Sequence, residues 1–383
     1  MFEKVAFNDV LEYKLSEPNV AVLDRAQYVV NGDGRGEFDF LQIDKNIREE
    51  FNLFPREGVQ PYFKKNVLGI STDAVVADVE LRFRFAVKEK PNKLQLVLEE
   101  PERFIISVND RRLPQTKMGD WVDKCFEKIA LPTTYLNIGE NVISLSFKLS
   151  DDTPIEPIYL VGDFGVKIVR SDTYEVNEIT ALPPKLAIGD VTKQGLPYYG
   201  GKIYYYLPLE KGYYRFSFPS PRTFAYVKVK SANKEKTVAF PPFNCEAKIT
   251  LAERDYSRHD NATGSDIYEM YEVEGAQIEV ALTRRNTFGP LHYKFKDDVE
   301  FADPYVFAPD GYDYSKRKVL QKSGLLALEV EKFPRHKEPE PKKKKWRLKG
   351  DENVATEQIE MQIPEKLPHN IITDIVDEKD IKS

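Results

Sequence analysis

Val79-Glu80-Leu81-Arg82-Phe83-Arg84-Phe85-Ala86-Val87 decides the fold. Apolar and polar side chains alternate with a period of two, which places one face of a strand on a core and the other in water. The same pattern recurs on the C-terminal side. Leu94, Leu96 and Leu98 repeat it, and Phe104 to Val108 reads as a further strand closed by the turn Asn109-Asp110. Trp121 opens a segment that runs to Leu131. Asn141 to Leu149 follows, with Ile143, Leu145, Phe147 and Leu149 facing one way. Ile155 to Val169 finishes the set, broken at Gly162-Asp163. Strands spaced by turn signals, without helical patterns between them, predict a first β-sandwich over residues 67–170.

Residues 171–310 repeat the theme as a second sandwich. Ile203, Tyr205, Leu207 and Leu209 face inward, then Tyr214, Phe216 and Phe218, then Ala225, Val227 and Val229. Thr237 to Phe240 must leave the sheet at Pro241-Pro242, because proline cannot donate to a ladder. Ala247 to Leu251 resumes, residues 252–266 are a polar excursion, and Ile267 to Leu282 closes the sheet. The expected class is all-β: two jelly-roll or galactose-binding-like sandwiches with a small mixed N-terminal segment and a flexible C-terminal tail.

The flanks read differently. Residues 1–66 contain a short buried strand, Asn19-Val20-Ala21-Val22-Leu23, continued by Gln27 to Val30 and ended by the run Asn31 to Gly36. That run lacks the spaced carboxylates of a calcium loop and reads as a flexible turn. Ile43, Ile47, Phe51 and Phe54 fall at helical spacing, so a short helix is expected from Asp44 to Leu53 with Asp44 as its N-cap. The segment holds too few apolar residues to fold alone. Residues 311–383 read as a linker and charged tail: Glu338-Pro339-Glu340-Pro341 runs into four lysines and then an acidic end, where opposite charges cancel within a Debye length.

Composition narrows the function classes. A formal net charge of -6 argues against a duplex-DNA binder, which needs a basic face. No apolar stretch approaches membrane-spanning length, and Met1-Phe2-Glu3-Lys4-Val5 does not begin a signal peptide, so a cytoplasmic protein is expected. The two cysteines, Cys125 and Cys245, lie far apart and read as buried reduced thiols rather than a disulfide or metal pair. His259, His292, His336 and His369 offer no metal-ligand spacing, and no phosphate-cradling loop or nucleophile elbow occurs. No cofactor, metal or catalytic residue is therefore expected.

Two loops at the mouths of strands carry the candidate binding chemistry: Gly189 to Gly201 and Arg284 to Tyr293. Both concentrate glycine, proline, aromatic and amide side chains, which give irregular backbone and rings on a rigid scaffold. A sugar site needs a flat ring under the C–H face and a few placed polar groups. Tyr198, Tyr199, Phe243, Arg285, Asn286 and His292 have those types. The alternative is that the same residues stitch loops together or pack on a neighbouring domain. Asp163 and Asp190 sit where Asx-type hydrogen bonds to turn amides are expected.

The loops also carry a resemblance. Gly189-Asp190-Val191-Thr192-Lys193-Gln194-Gly195-Leu196-Pro197-Tyr198-Tyr199-Gly200-Gly201 resembles a Gly-Asp-Trp-Thr-x-Gln-Gly-x-Pro-Phe-Tyr-x-Gly run in the C-terminal sugar-binding-type β-sandwich of bacterial glycoside hydrolases, of the family 2-like and α-L-rhamnosidase-like kind. Val191 stands where that run has tryptophan, and Tyr198 where it has phenylalanine. Phe240-Pro241-Pro242-Phe243 and Arg285-Asn286-Thr287-Phe288-Gly289-Pro290-Leu291-His292 are similar to an aromatic-Pro-Pro-aromatic turn and an Arg-Asn-x-x-Gly-Pro-x-His ending in the same proteins. Tyr159 to Gly165 and Asn19 to Asp24 match further segments, so the likeness spans roughly residues 17–310. It implies a non-catalytic accessory region without the (β/α)8 catalytic barrel. The implied partners are carbohydrate, or a catalytic glycoside hydrolase domain or subunit; nucleic acid and membrane are not expected. The alternatives are a glycoside hydrolase in its own right and a structural interaction module without sugar affinity.

Overall fold

The computed structural model describes residues 3–53, 61–170, 175–219, 223–231, 234–238, 246–251, 275–289, 293–294, 313–314 and 318–333. These residues form mainly antiparallel sheets with few helices, as an all-β sandwich protein. Two separate hydrophobic cores run through them.

The first core is organised on the strand Ala77–Val87, whose burial alternates along its length. It pairs antiparallel with Gly139–Leu149, from Gly139 opposite Val87 to Leu149 opposite Ala77. Its other edge is shared. Arg25–Val30 pairs antiparallel with the N-terminal half, and Glu175–Thr180 pairs in parallel at Ala86 and Val87. The opposing sheet has the order Lys117–Trp121, Asp123–Ala130, Leu94–Glu99, Ile158–Gly162, Asn19–Leu23. Phe83, Phe85, Leu96, Ile106, Ile143 and Leu160 fill the space between at 2% exposure or less. The turn Asn109-Asp110 has φ of 49° and 62°, the left-handed pair that a two-residue hairpin turn requires.

The second core lies between a six-stranded and a four-stranded sheet. The first has the order Leu186–Ala187, Val10–Leu15, Lys202–Leu207, Ala276–Ala281, Tyr226–Ser231, Lys234–Val238. The second has the order Glu3–Lys4, Glu329–Phe333, Gly212–Ser217, Glu246–Leu251. Ile203, Tyr205, Leu207, Tyr214, Phe216 and Ile278 are buried between them.

Several expectations are corrected. The segment 1–66, expected not to fold alone, does not stay together either: Val10–Leu15 belongs to the second sandwich, while Asn19–Leu23 and Arg25–Val30 belong to the first. Glu175–Thr180 lies in the first sandwich rather than the second. The expected tail returns to the fold, placing Glu329–Phe333 between Glu3–Lys4 and Gly212–Ser217. A strand whose one fully buried residue is Val330 leaves almost no alternation to read. The helix runs Phe40–Glu50 and is capped by Asp39, which accepts from the amides of Leu41 and Gln42. Asp44 instead takes the Arg48 guanidinium at 3.0 Å, and Arg48 reaches Asp151 at 3.0 Å. Asn31-Gly32 is a hairpin turn, but Gly34 and Gly36 lie within the strand Asp33–Asp39. Trp121 ends one strand rather than opening another, with Val122 at the hairpin tip at φ 62°. Cys125 is exposed, beside exposed Lys124 near that tip; Cys245 lies outside the described residues. The polar excursion at 252–266, the Pro241-Pro242 turn and the charged linker also lie outside them.

Candidate functional site

The two loops singled out from the sequence meet at the junction between the sandwiches. Gly200 lets their backbones approach. A Cβ there would lie 2.6 Å from Arg284 Cγ and 3.0 Å from Arg284 Cα. Any larger residue must push the loops apart.

The first loop turns through a short 3-10 helix, Val191–Lys193, because Asp190 caps it. Asp190 Oδ1 accepts from the Thr192 amide at 3.1 Å, the Thr192 hydroxyl at 2.7 Å and the Ser323 amide at 3.2 Å. Gln194 binds the backbone of Ala187 from both sides, accepting from its amide at 2.7 Å and donating to its carbonyl at 3.1 Å. Val191, which stands where the resembled run has tryptophan, is fully buried in the second core.

Tyr198 is the centre of a buried polar cluster. Its ring is 0% exposed. Its hydroxyl donates to Asn177 Oδ1 at 2.7 Å and accepts from Lys318 Nζ at 3.0 Å. Lys318 also donates to the Val22 carbonyl at 2.8 Å and pairs with Asp24 Oδ1 at 3.0 Å. Asn177 Nδ2 donates to the same Val22 carbonyl at 2.6 Å. Asn19–Leu23 is the edge strand of its sheet, so these side chains satisfy and cover an edge that would otherwise invite pairing. Burial pushes the Tyr198 hydroxyl up to about 12. Burial also disfavours the Lys318 ammonium, but Asp24 and Tyr198 outweigh it and hold its proton more tightly than in a free lysine.

Tyr199 is equally interior at 2% exposure. Its hydroxyl donates to the Lys202 carbonyl at 2.9 Å and accepts from the Ser16 amide at 3.1 Å. From the second loop, Arg284 forms two 2.8 Å bonds to Glu17. Asn286 and Gln321 exchange a reciprocal pair, with Nδ2 donating to the Gln321 carbonyl at 2.8 Å and Oδ1 accepting from its amide at 3.0 Å. Thr287 donates to the Tyr198 carbonyl at 2.7 Å, tying loop to loop. Arg285 folds back over Gly289, and burial lowers its pKa.

At the rim of the junction, Phe288 lies on Phe126 with ring centroids 5.3 Å apart and planes 4° from parallel. Trp121 and Tyr159 pack against both rings. Phe288 is 37% exposed, whereas Trp121 is 6% exposed. This ledge explains why Ile158–Gly162 is buried on both faces: Leu160 points into the first core while Tyr159 meets the loop from the second sandwich.

The structure therefore brings Tyr198, Tyr199, Arg285 and Asn286 into one neighbourhood, but with Tyr198, Tyr199 and Asn286 turned into protein. The two tyrosine rings expected to face a ligand are enclosed, and their hydroxyls are taken by protein partners. Phe243 and His292 lie outside the described residues. Asp24, Asn177, Thr287, Phe288 and Lys318 were not among the candidates. Asn177, a buried amide within a strand, is the kind of residue that signals a partner; Lys318 carries no such signal in a segment whose composition reads as a solvated tail.

One open hollow of about 520 Å³ is lined by Asp120, Val122, Asp123 and Lys124, none of them from the two loops. Among the described residues, no group of His, Cys, Asp and Glu side chains could hold a metal ion. No described helix is long and apolar enough to cross a membrane. No family model matches the chain, and no curated protein matches it.

Proposed function

We propose that the chain is a non-catalytic accessory region of the glycoside hydrolase type, which binds carbohydrate or seats a catalytic partner. The observation that carries this reading is the junction: the two loops that resemble those of sugar-binding sandwiches are fastened there, Tyr198 by Asn177 and Lys318, Thr287 to the Tyr198 carbonyl and Asn286 to the Gln321 backbone. Polar side chains so engaged fasten the loops and leave ligand contact to outward-facing residues. Their enclosure also favours a second reading, a structural interaction module without sugar affinity, since Tyr198 and Tyr199 present no ring to solvent.

Titration of the full chain against a panel of oligosaccharides by calorimetry, alongside chromogenic glycosides, separates the readings. The carbohydrate-binding form of the accessory reading expects binding of at least one glycan without turnover. Absence of binding across the panel removes that form and favours a module that docks on protein. Turnover abolished by one Asp or Glu substitution would make the chain a hydrolase.

A further inference from the structure

The outer face of the six-stranded sheet is the surface where rings and fixed charges lie together. Along Lys202–Leu207, Ile203, Tyr205 and Leu207 enter the core, leaving Lys202, Tyr204 and Tyr206 half-buried on the other side. Strand register carries that side across the sheet. Lys14, Tyr204, Glu279 and Lys228 form one row over four strands. Glu12, Tyr206, Gln277 and Lys230 form the next. Strand spacing makes each row about 14 Å long, with Tyr204 and Tyr206 about 7 Å apart along their strand.

The charges on this face are held in place. Glu279 is only 2% exposed despite pointing outward. It pairs with Lys202 at 3.1 Å and Lys230 at 2.7 Å, and accepts from the Tyr226 hydroxyl at 3.0 Å. Lys228 and Lys230 both reach Glu235, at 2.7 Å and 3.4 Å. Glu12 is engaged by Lys185 at 2.7 Å. Lysines outnumber carboxylates here, so the face is locally basic on a chain whose formal net charge is -6.

We propose that this face binds an acidic, uronate-bearing oligosaccharide, an inference that rests on the carbohydrate reading above. Pyranose rings lie with their C–H faces on Tyr204 and Tyr206. Sugar carboxylates meet the ammonium groups of Lys14, Lys202, Lys228 and Lys230, and the Gln277 amide is placed for a hydroxyl. Side chains already ordered by Glu279 and Glu235 lose little freedom on binding. Charge complementarity selects an acidic glycan over a neutral one. The partial neutralisation by Glu279 and Glu235 favours its sparse carboxylates over the dense phosphates of a nucleic acid.

The test is calorimetric titration of the full chain with oligogalacturonate and oligomannuronate hexamers, a neutral galacto-oligosaccharide and oligothymidylate. It is run on the wild type, Y204A/Y206A, Y204F/Y206F and F288A. The expected result is uronate binding that weakens with salt, falls about tenfold or more in Y204A/Y206A and survives in Y204F/Y206F, where the rings remain. Thermal melts of the variants establish that each is folded. Uronate binding unchanged in Y204A/Y206A, equal or tighter binding of the neutral glycan, or preference for oligothymidylate overturns the proposal. Glycan binding lost only in F288A overturns this face while leaving the carbohydrate reading intact. Absence of binding to every glycan overturns both.

Discussion

Replacing Lys318 with methionine removes a cation from a site where it pairs with Asp24 at 3.0 Å and donates to the Val22 carbonyl and the Tyr198 hydroxyl. Lys318 is 7% exposed and Asp24 2%, so water cannot take the lost partner's place without opening the junction. Breaking a buried pair from one side costs about 3–5 kcal/mol, far more than the roughly 0–1 kcal/mol of an exposed pair. The assay is guanidinium unfolding followed by Trp121 fluorescence in a W346F background, because Trp121 packs on Phe288 at the junction. Lys318→Met is expected to lower the midpoint of the transition that Trp121 reports. Asp24→Leu combined with Lys318→Met is expected to recover part of the loss, since neither charge of the pair then stays buried. The pH dependence has a fixed sign. The folded chain holds the Lys318 proton more tightly than the unfolded one, so the contribution is complete below the ordinary lysine value of 10.5 and is lost as pH rises beyond it. A loss below about 1 kcal/mol, the size of a surface pair, would refute the claim that Lys318 secures the junction.

Tyr198→Phe deletes the hydroxyl between Asn177 and Lys318 and is expected to cost about 1–3 kcal/mol in the same unfolding assay. Asn286→Ala breaks the reciprocal bonds to Gln321; limited proteolysis is expected to cleave the 318–333 segment faster than in the wild type. Glu279 is opposed by burial, but Lys230 and Lys202 outweigh it and hold its pKa below the ordinary 4.5. Its contribution is therefore present above that value and lost as pH falls through the folded value, and Glu279→Gln should flatten the acid limb of a stability profile. Cys125 is expected to react with a thiol reagent in the native protein, identified by peptide mass. Its rate should keep climbing past pH 9, because partial burial and the nearby Glu99 and Asp123 carboxylates push the thiol up to about 11.

The long strands were legible because alternation alone specifies them: Ala77–Val87 and Gly139–Leu149 each bury every second residue over much of their length. Positions where a tertiary partner overrode local pattern were not legible. Asp39 and Asp44 are both plausible caps by type, and only the packed Arg48 distinguishes the one that pairs from the one that caps. Glu329–Phe333 follows from its neighbours Glu3–Lys4 and Gly212–Ser217, which lie more than a hundred residues away in sequence. The loops were recognisable as special from their glycines and rings. Their composition fits a ligand wall and an interior seam equally well, because both need rings with a polar end. Lys318 separates the two, and a lone lysine in a charged segment announces nothing.

Saturation-transfer NMR on the full chain, with oligosaccharides followed over a long incubation, reads binding and bond cleavage in one experiment. A non-catalytic carbohydrate-binding region predicts transfer from protein to at least one glycan whose own spectrum never changes. Transfer to none of them, or the growth of new reducing-end signals, would contradict it.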